Sequence, residues 1–151
     1  MENITVDVNK LNVHFGKAHV INDVSFKVKK GELIGFFGIS GAGKTTIIRV
    51  LTCQLSKKNW TGDVKVTGLD PAKSSNHSKI LSRIGYIPQL ELQNLYYELS
   101  ALDNVETFAN TYGMKKMSGG EKKRVSMAIG LIHEPEVLFL DEPTTQINYL
   151  N

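Results

Sequence analysis

The stretch GISGAGKTT, residues 38–46, sets three glycines and an alanine around one lysine, directly after the apolar run LIGFF at 33–37. Residue types at this spacing suit one chemistry, the holding of a phosphate chain. Glycines let consecutive backbone N–H groups point inward at phosphate oxygens, and the helix that follows adds the positive end of its dipole. Gly38, Ser40, Gly41, Ala42 and Gly43 supply the loop, Lys44 neutralises the outer phosphates, and Thr45 offers a hydroxyl to magnesium, with Thr46 beside it at the helix start. The competing reading is a glycine-rich turn with no ligand. A strand expected before the loop and a helix expected after it favour the phosphate site.

Two further features carry chemistry. The apolar run Val137–Leu140 ends in Asp141 and Glu142. A strand ending in two acids places both carboxylates at the carboxyl edge of a sheet, where open α/β sheets bind ligands. Asp141 then holds magnesium through water and Glu142 polarises an attacking water as general base. Alone, the pair reads as a strand end meeting solvent; beside the phosphate loop the functional reading is the stronger one. Ser118, Gly119 and Gly120 open a helix, with Glu121 at capping-box spacing. On its own this is a plain cap, and it is equally a second place where free helix N–H groups can hold a phosphate.

These residues need elements to position them. Ile4, Val6 and Val8 alternate with polar residues, as do Leu11, Val13 and Phe15, then Val24, Phe26 and Val28, the period of half-buried strands. The first thirty residues read as an antiparallel sheet. Residues 33–37 are apolar without a break, which suits a strand covered on both faces. Ile47, Ile48, Leu51 and Leu55 then mark a helix. Residues 62–67 read as a strand, AKSSNHSK as a loop or short helix, Ile84–Ile87 as a strand stopped by Pro88, and Val137–Leu140 as the last buried strand. Helices are expected from Ser100 to about Tyr112 and from Ser118 through Ile132.

With 41% hydrophobic and 22% charged residues in 151, the chain has the means to bury one core and lacks the profile of a disordered segment. Its lysines are scattered in pairs and its net charge is +3, so nucleic acid is not an expected partner. One cysteine, Cys53, forms neither an internal disulfide nor a zinc site, which fits a reducing cytoplasm. The longest apolar stretch is far short of the ~20 residues needed to cross a bilayer, so a membrane link is expected to run through a partner.

The phosphate loop, the SGGE helix and the acidic strand end, in this order, resemble ATP-binding cassette ATPases over essentially the whole chain. Phe15 in VHFGK matches the aromatic that stacks on adenine, and Gln89 in YIPQ the glutamine that senses magnesium and couples to the membrane domain. The wording NDVSFKVKKGELIGFFG resembles ATP-binding subunits of bacterial or archaeal transporters. The resemblance implies an α/β fold of the P-loop NTPase type, a RecA-like parallel sheet with flanking helices, plus an N-terminal antiparallel β subdomain and a reduced helical subdomain. It implies a single incomplete domain over 1–151, with the antiparallel part in 1–32, the ATP-binding core in 33–88 and 134–151, and the helical and signature part in 89–133. ATP and Mg2+ are the implied cofactors and ATP hydrolysis the implied activity, with Glu142, Lys44 and Gln89 in catalysis. Thr45, Gln89 and Asp141 would serve the metal, while Ser118, Gly119 and Gly120 serve the ATP of a second nucleotide-binding subunit. The implied partners are that subunit, in a homo- or heterodimer, and a transmembrane permease, with the cassette cytoplasmic and peripheral on the inner face of the membrane.

The chain also departs from the pattern. Only residues 114–117 separate Gly113 from Ser118, where relatives carry a further pair of helices, and Asn148 stands where they have an inter-subunit aspartate. The family's switch histidine is missing, because His14, His19, His77 and His133 all precede Asp141. In the family the strand carrying that histidine lies between the phosphate-loop strand and the acidic one. Its loss predicts a gap, closed either by direct pairing of the two remaining strands or left as unpaired edges that invite self-association. Weak ATP binding and slow or absent hydrolysis are expected. Other functions in view are a catalytically silent cassette that regulates an intact subunit, and a DNA-repair or chromosome-maintenance ATPase. The single cysteine and the lack of a heptad run between Lys44 and Asp141 count against the latter. A nucleotide kinase is disfavoured by the SGGE helix.

Overall fold

In the computed structural model, which describes residues 3–39, 41–88, 131 and 133–141, the two alternating runs at the start of the chain fold as one strand. Strand β1 (Ile4–Phe15) pairs antiparallel with β2 (Ala18–Lys29) on one side and with β3 (Trp60–Val66) on the other, in the order β2-β1-β3. The apolar phase slips because Val8 is followed by Leu11, three residues on. Both ladders of β1 shift register at this step, and Lys10 there has φ +51. The bulge turns Leu11 and Val13 back to the face that Val6 and Val8 occupy, and all four are at most 2% exposed. Opposite the bulge, Gly62 has φ +106, and a Cβ there would stand 2.5 Å from the Lys10 carbonyl oxygen. Only glycine fits this close approach of two backbones.

The sheet closes on α1 (Lys44–Leu51), whose Ile47, Ile48, Val50 and Leu51 are buried. The helix is shorter than its apolar spacing predicts. Cys53, at φ +60, ends it in the left-handed shape and donates its N–H to the Val50 carbonyl, so Leu55 lies beyond the last turn. A 3-10 turn at Lys57–Asn59 leads into β3, with the Lys57 ammonium 3.5 Å above the Trp60 ring. The polar segment left open between loop and helix forms α2 (Ser74–Leu81), of which only Ile80 is buried. Its start is tied to the preceding turn instead. The Asp70 carboxylate accepts from Ala72 N–H, the Asn76 amide donates to the Asp70 carbonyl, and His77 Nε2 donates to the Pro71 carbonyl.

The chain divides into two compact units, 1–84 and 85–151, each described on its own. Beyond the first unit, β4 (Ile84–Ile87) pairs with β5 (Val137–Leu140) in a parallel sheet, and Asp141 N–H continues the pairing to the Ile87 carbonyl at 2.9 Å. Both strands have the bounds their apolar runs predict. β5 is half-buried, with Leu140 37% exposed, where full burial was expected.

One expectation is overturned. Residues 33–37 form no strand, and Leu33 and Phe37 are 92% and 97% exposed. An apolar run supplies the surface a strand buries, but a strand also needs a neighbour's N–H and C=O groups. Among the described residues no ladder reaches this run. Phe36 packs edge-on to Phe26 at 5.2 Å between ring centroids. Because the run forms no strand, the direct pairing with the acidic strand that the sequence offered as one alternative is not among the ladders of the described residues. The expected helices at 100–112 and 118–132 lie outside the described residues, apart from Leu131.

Candidate functional site

The glycine loop owes its shape to backbone that side chains rarely tolerate. Gly41 and Gly43 have φ +83 and +88, so the peptide planes turn between them as in an anion nest. The two ends of the loop approach closely: a Cβ on Gly38 would lie 3.2 Å from that of Ala42, and Ala42 N–H donates to the Ile39 carbonyl. Gly43 is buried against β2. A side chain there would enter the space of Ile21 and come 3.3 Å from the Val20 carbonyl oxygen.

Lys44 folds back over this loop. Its Nζ donates to the carbonyls of Gly38 at 2.8 Å and Ile39 at 3.0 Å, which holds a positive charge at the loop's mouth. Gly43 caps α1 without a side-chain hydrogen bond, and no acid lies in the first turn. The helix's own first turn thus brings no carboxylate to its positive end, as suits a helix start that takes an anion. Thr45 and Thr46 lie in that first turn, both half-exposed.

Phe15 sits at the tip of the β1–β2 hairpin, paired with Ala18 and 42% exposed. It is in phase with Leu11 and Val13, so it lies on the sheet face that α1 covers, the face from which Ile21 reaches Gly43. The pairings Val13↔Ile21 and His14↔His19 leave Val20 as an extra residue on β2, and this bulge brings β2 to Gly43. Sequence reasoning missed Val20 and Ile21. Neither residue type marks a phosphate site, and their role comes from a contact distant in the chain.

Asp141, in the second unit, is 3% exposed and held by its N–H to Ile87. Ser40, Gln89, Ser118, Gly119, Gly120 and Glu142 lie outside the described residues. The Thr45 hydroxyl in the first unit and the Asp141 carboxylate in the second are each, taken alone, hard oxygen donors of the kind magnesium takes. Burial pushes the Cys53 thiol up to about 11, which makes it a poor nucleophile at neutral pH and agrees with a cysteine that has no part in the site.

The sequence profile described as ABC transporter matches residues 21–145. Nod factor export ATP-binding protein I of Bradyrhizobium diazoefficiens is 31% identical over 174 aligned positions, covering 98% of this chain and 55% of that protein. That alignment is longer than the chain's 151 residues, so the relative carries segments absent here. Among solved structures, CbiO1 of Clostridium perfringens, described as part of the ABC transporter complex CbiONQ, matches with a TM-score of 0.77 at 24% identity. The match covers 96% of this chain and 68% of that one. A dimeric ATP-binding cassette, MJ0796, in a post-hydrolysis state bound to ADP and phosphate, matches with a TM-score of 0.76 at 23% identity, covering 92% of this chain and 74% of that one. At these identities the structural matches speak for the fold.

Proposed function

The chain belongs to the ABC transporter family of ATP-binding cassettes, and on that premise we propose that it is the nucleotide-binding part of a transport subunit, taking up Mg-ATP on residues 38–46. Cassettes of this family are ATPases. One observation carries the reading for this chain: left-handed Gly41 and Gly43 with the Lys44 ammonium drawn across the loop to the Gly38 and Ile39 carbonyls. In the proposal the loop amides and the open start of α1 bind the phosphates and Lys44 offsets their charge. Thr45 and Asp141 hold magnesium, which supplies further neutralisation when bound. Phe15 stacks on the adenine. Glu142 activates water, Gln89 serves the metal, and Ser118 with Gly119 and Gly120 serves the nucleotide of a paired subunit.

The chain spans 55% of the Nod factor export relative, so partners and transport belong to the proposal. They are a transmembrane permease subunit, approached from the cytoplasmic side, and a second nucleotide-binding subunit. CbiO1's place in a transporter complex and MJ0796's dimeric state support this arrangement. Among the described residues no helix is long and apolar enough to cross a membrane.

A second reading, a cassette that binds nucleotide without turnover and regulates an intact subunit, is favoured by the exposed run 33–37. Among the described residues no strand anchors the segment entering the phosphate loop. Titration of the full chain with a fluorescent ATP analogue in excess Mg2+ tests the common core. Saturable binding that Lys44→Ala weakens is expected, and no saturable signal overturns both readings. Magnesium-dependent turnover by wild type that is lost in Lys44→Ala decides for the active cassette over the silent one.

A further inference from the structure

On the sheet face opposite Phe15, three side chains of the β1–β2 hairpin form a cluster that nucleotide binding does not use. His14 and His19 are cross-strand partners whose rings stack at 3.9 Å between centroids, with planes 17° apart. Both are exposed. Asn12 stands two residues before His14 on the same face and touches His19: its Oδ1 lies 3.1 Å from His19 Nε2.

The hydrogen bonds around Asn12 fix which imidazole nitrogen keeps its lone pair. The Asn12 amide nitrogen donates to the Lys10 carbonyl at 3.0 Å, and Oδ1 accepts from Asp23 N–H at 3.1 Å. Both ends of the amide are thereby assigned from backbone partners, and Oδ1 is an acceptor. His19 Nε2 must then carry the hydrogen, so in the neutral ring the lone pair sits on Nδ1. An imidazole whose far N–H is held by a carbonyl-type oxygen is the arrangement that orients histidine ligands in metal sites and raises their basicity.

We propose that His14 and His19 form a bidentate site for a late first-row divalent ion of the zinc, nickel or copper class, with Asn12 as the positioning residue for His19. Imidazole nitrogen suits these ions, which sit at about 2.0–2.1 Å from each ligand. Torsion about the Cβ–Cγ bond of histidine is broad, so a turn of the His14 ring alone, with His19 kept in place by its bond to Asn12, brings the two lone pairs onto one ion with the backbone in place. Two protein ligands leave the remaining positions to water.

The test is titration of the full chain with Cu2+, read by electron paramagnetic resonance, and with Ni2+, read by calorimetry. The wild type is expected to fill one site whose copper spectrum shows two equivalent imidazole nitrogens. His14→Ala and His19→Ala each lower affinity by at least ~10-fold and leave one nitrogen or none. Asn12→Ala lowers it by about 10-fold with both nitrogens still present, as loss of an outer partner does. Long-range 15N spectra of the metal-free protein supply an independent reading, with His19 as the Nε2–H tautomer. His77 and His133 are the remaining imidazoles, and His77→Ala is expected to change nothing. A one-nitrogen spectrum in the wild type, affinity unchanged by His19→Ala, or an Nδ1–H tautomer at His19 overturns the proposal.

Discussion

Gly43 lies against Ile21: a methyl group on Gly43 would run into the end of the Ile21 side chain. The same glycine has φ +88, a shape that costs an L-residue about 1–2 kcal/mol. The two penalties can be separated. Gly43→Ala carries both and is expected to lower stability by roughly 2–4 kcal/mol, since overlap in a packed site adds about 1–3. Ile21→Val removes the colliding carbon and alone costs about 0.5–1.5 kcal/mol. In the double variant the overlap with Ile21 is gone, while the backbone strain and the 3.3 Å approach to the Val20 carbonyl oxygen remain, so the two changes couple favourably in a urea-unfolding cycle. Strict additivity would show that Ile21 is not the wall of the loop.

Lys44 makes its two protein bonds at a half-exposed position, so its ammonium contributes more to a ligand than to the fold. A hydrogen bond to a charged group is worth about 1.5–3 kcal/mol. Lys44→Met is therefore expected to weaken a fluorescent ATP analogue on the order of 10- to 100-fold while the melting temperature barely moves. Lys44→Arg does not restore binding, because a planar fork cannot meet two loop carbonyls and a phosphate as a tetrahedral ammonium does. Wild-type affinity in Lys44→Met would remove the lysine from the site.

Phe15 and Ile21 share the sheet face that α1 covers, which puts the hairpin tip on the phosphate-loop side. A base on an aromatic ring contributes about 1–3 kcal/mol in nucleic-acid sites, and a similar share is expected here. Phe15→Ala should cost about 10-fold in affinity for ATP and nothing for inorganic triphosphate; Phe15→Tyr should restore it. Equal losses for both ligands would mean that the substitution disturbs the hairpin and that no base rests on the ring.

Short-range signals in the sequence carried the elements whose apolar pattern is complete within the element itself. Ile84–Ile87 and Val137–Leu140 match their strands end for end, and the change of period after Gly43 marks α1. The run 33–37 misled because hydrophobicity reports what a segment can bury and is silent on who supplies its hydrogen bonds. The bulge at Lys10 was present in the sequence as the slipped spacing from Val8 to Leu11, yet it reads equally as a break between two strands. What tells the cases apart is Gly62, far along the chain in β3, whose missing Cβ makes room for the Lys10 carbonyl. The wall that seats Gly43 is of the same kind, since nothing in the letters Val20 and Ile21 announces a loop distant in sequence.

Cys53 gives the fold a pH dependence at its alkaline end. Burial raises its thiol from 9.0 to about 11, so between these values the folded chain holds a proton that the unfolded chain has released. The contribution is fully present below pH 9 and is lost as the pH rises through about 11. Cys53→Ser does not titrate in this range, so its urea midpoint should fall less steeply with pH than that of the wild type. Chemistry gives a second reading, because the thiolate is the reactive form. The rate of alkylation of folded protein by iodoacetamide should still be climbing with pH beyond 9 and level off near 11, whereas in urea it levels near 9. A folded-state plateau at 9 would mean that the thiol at the end of α1 is open to water.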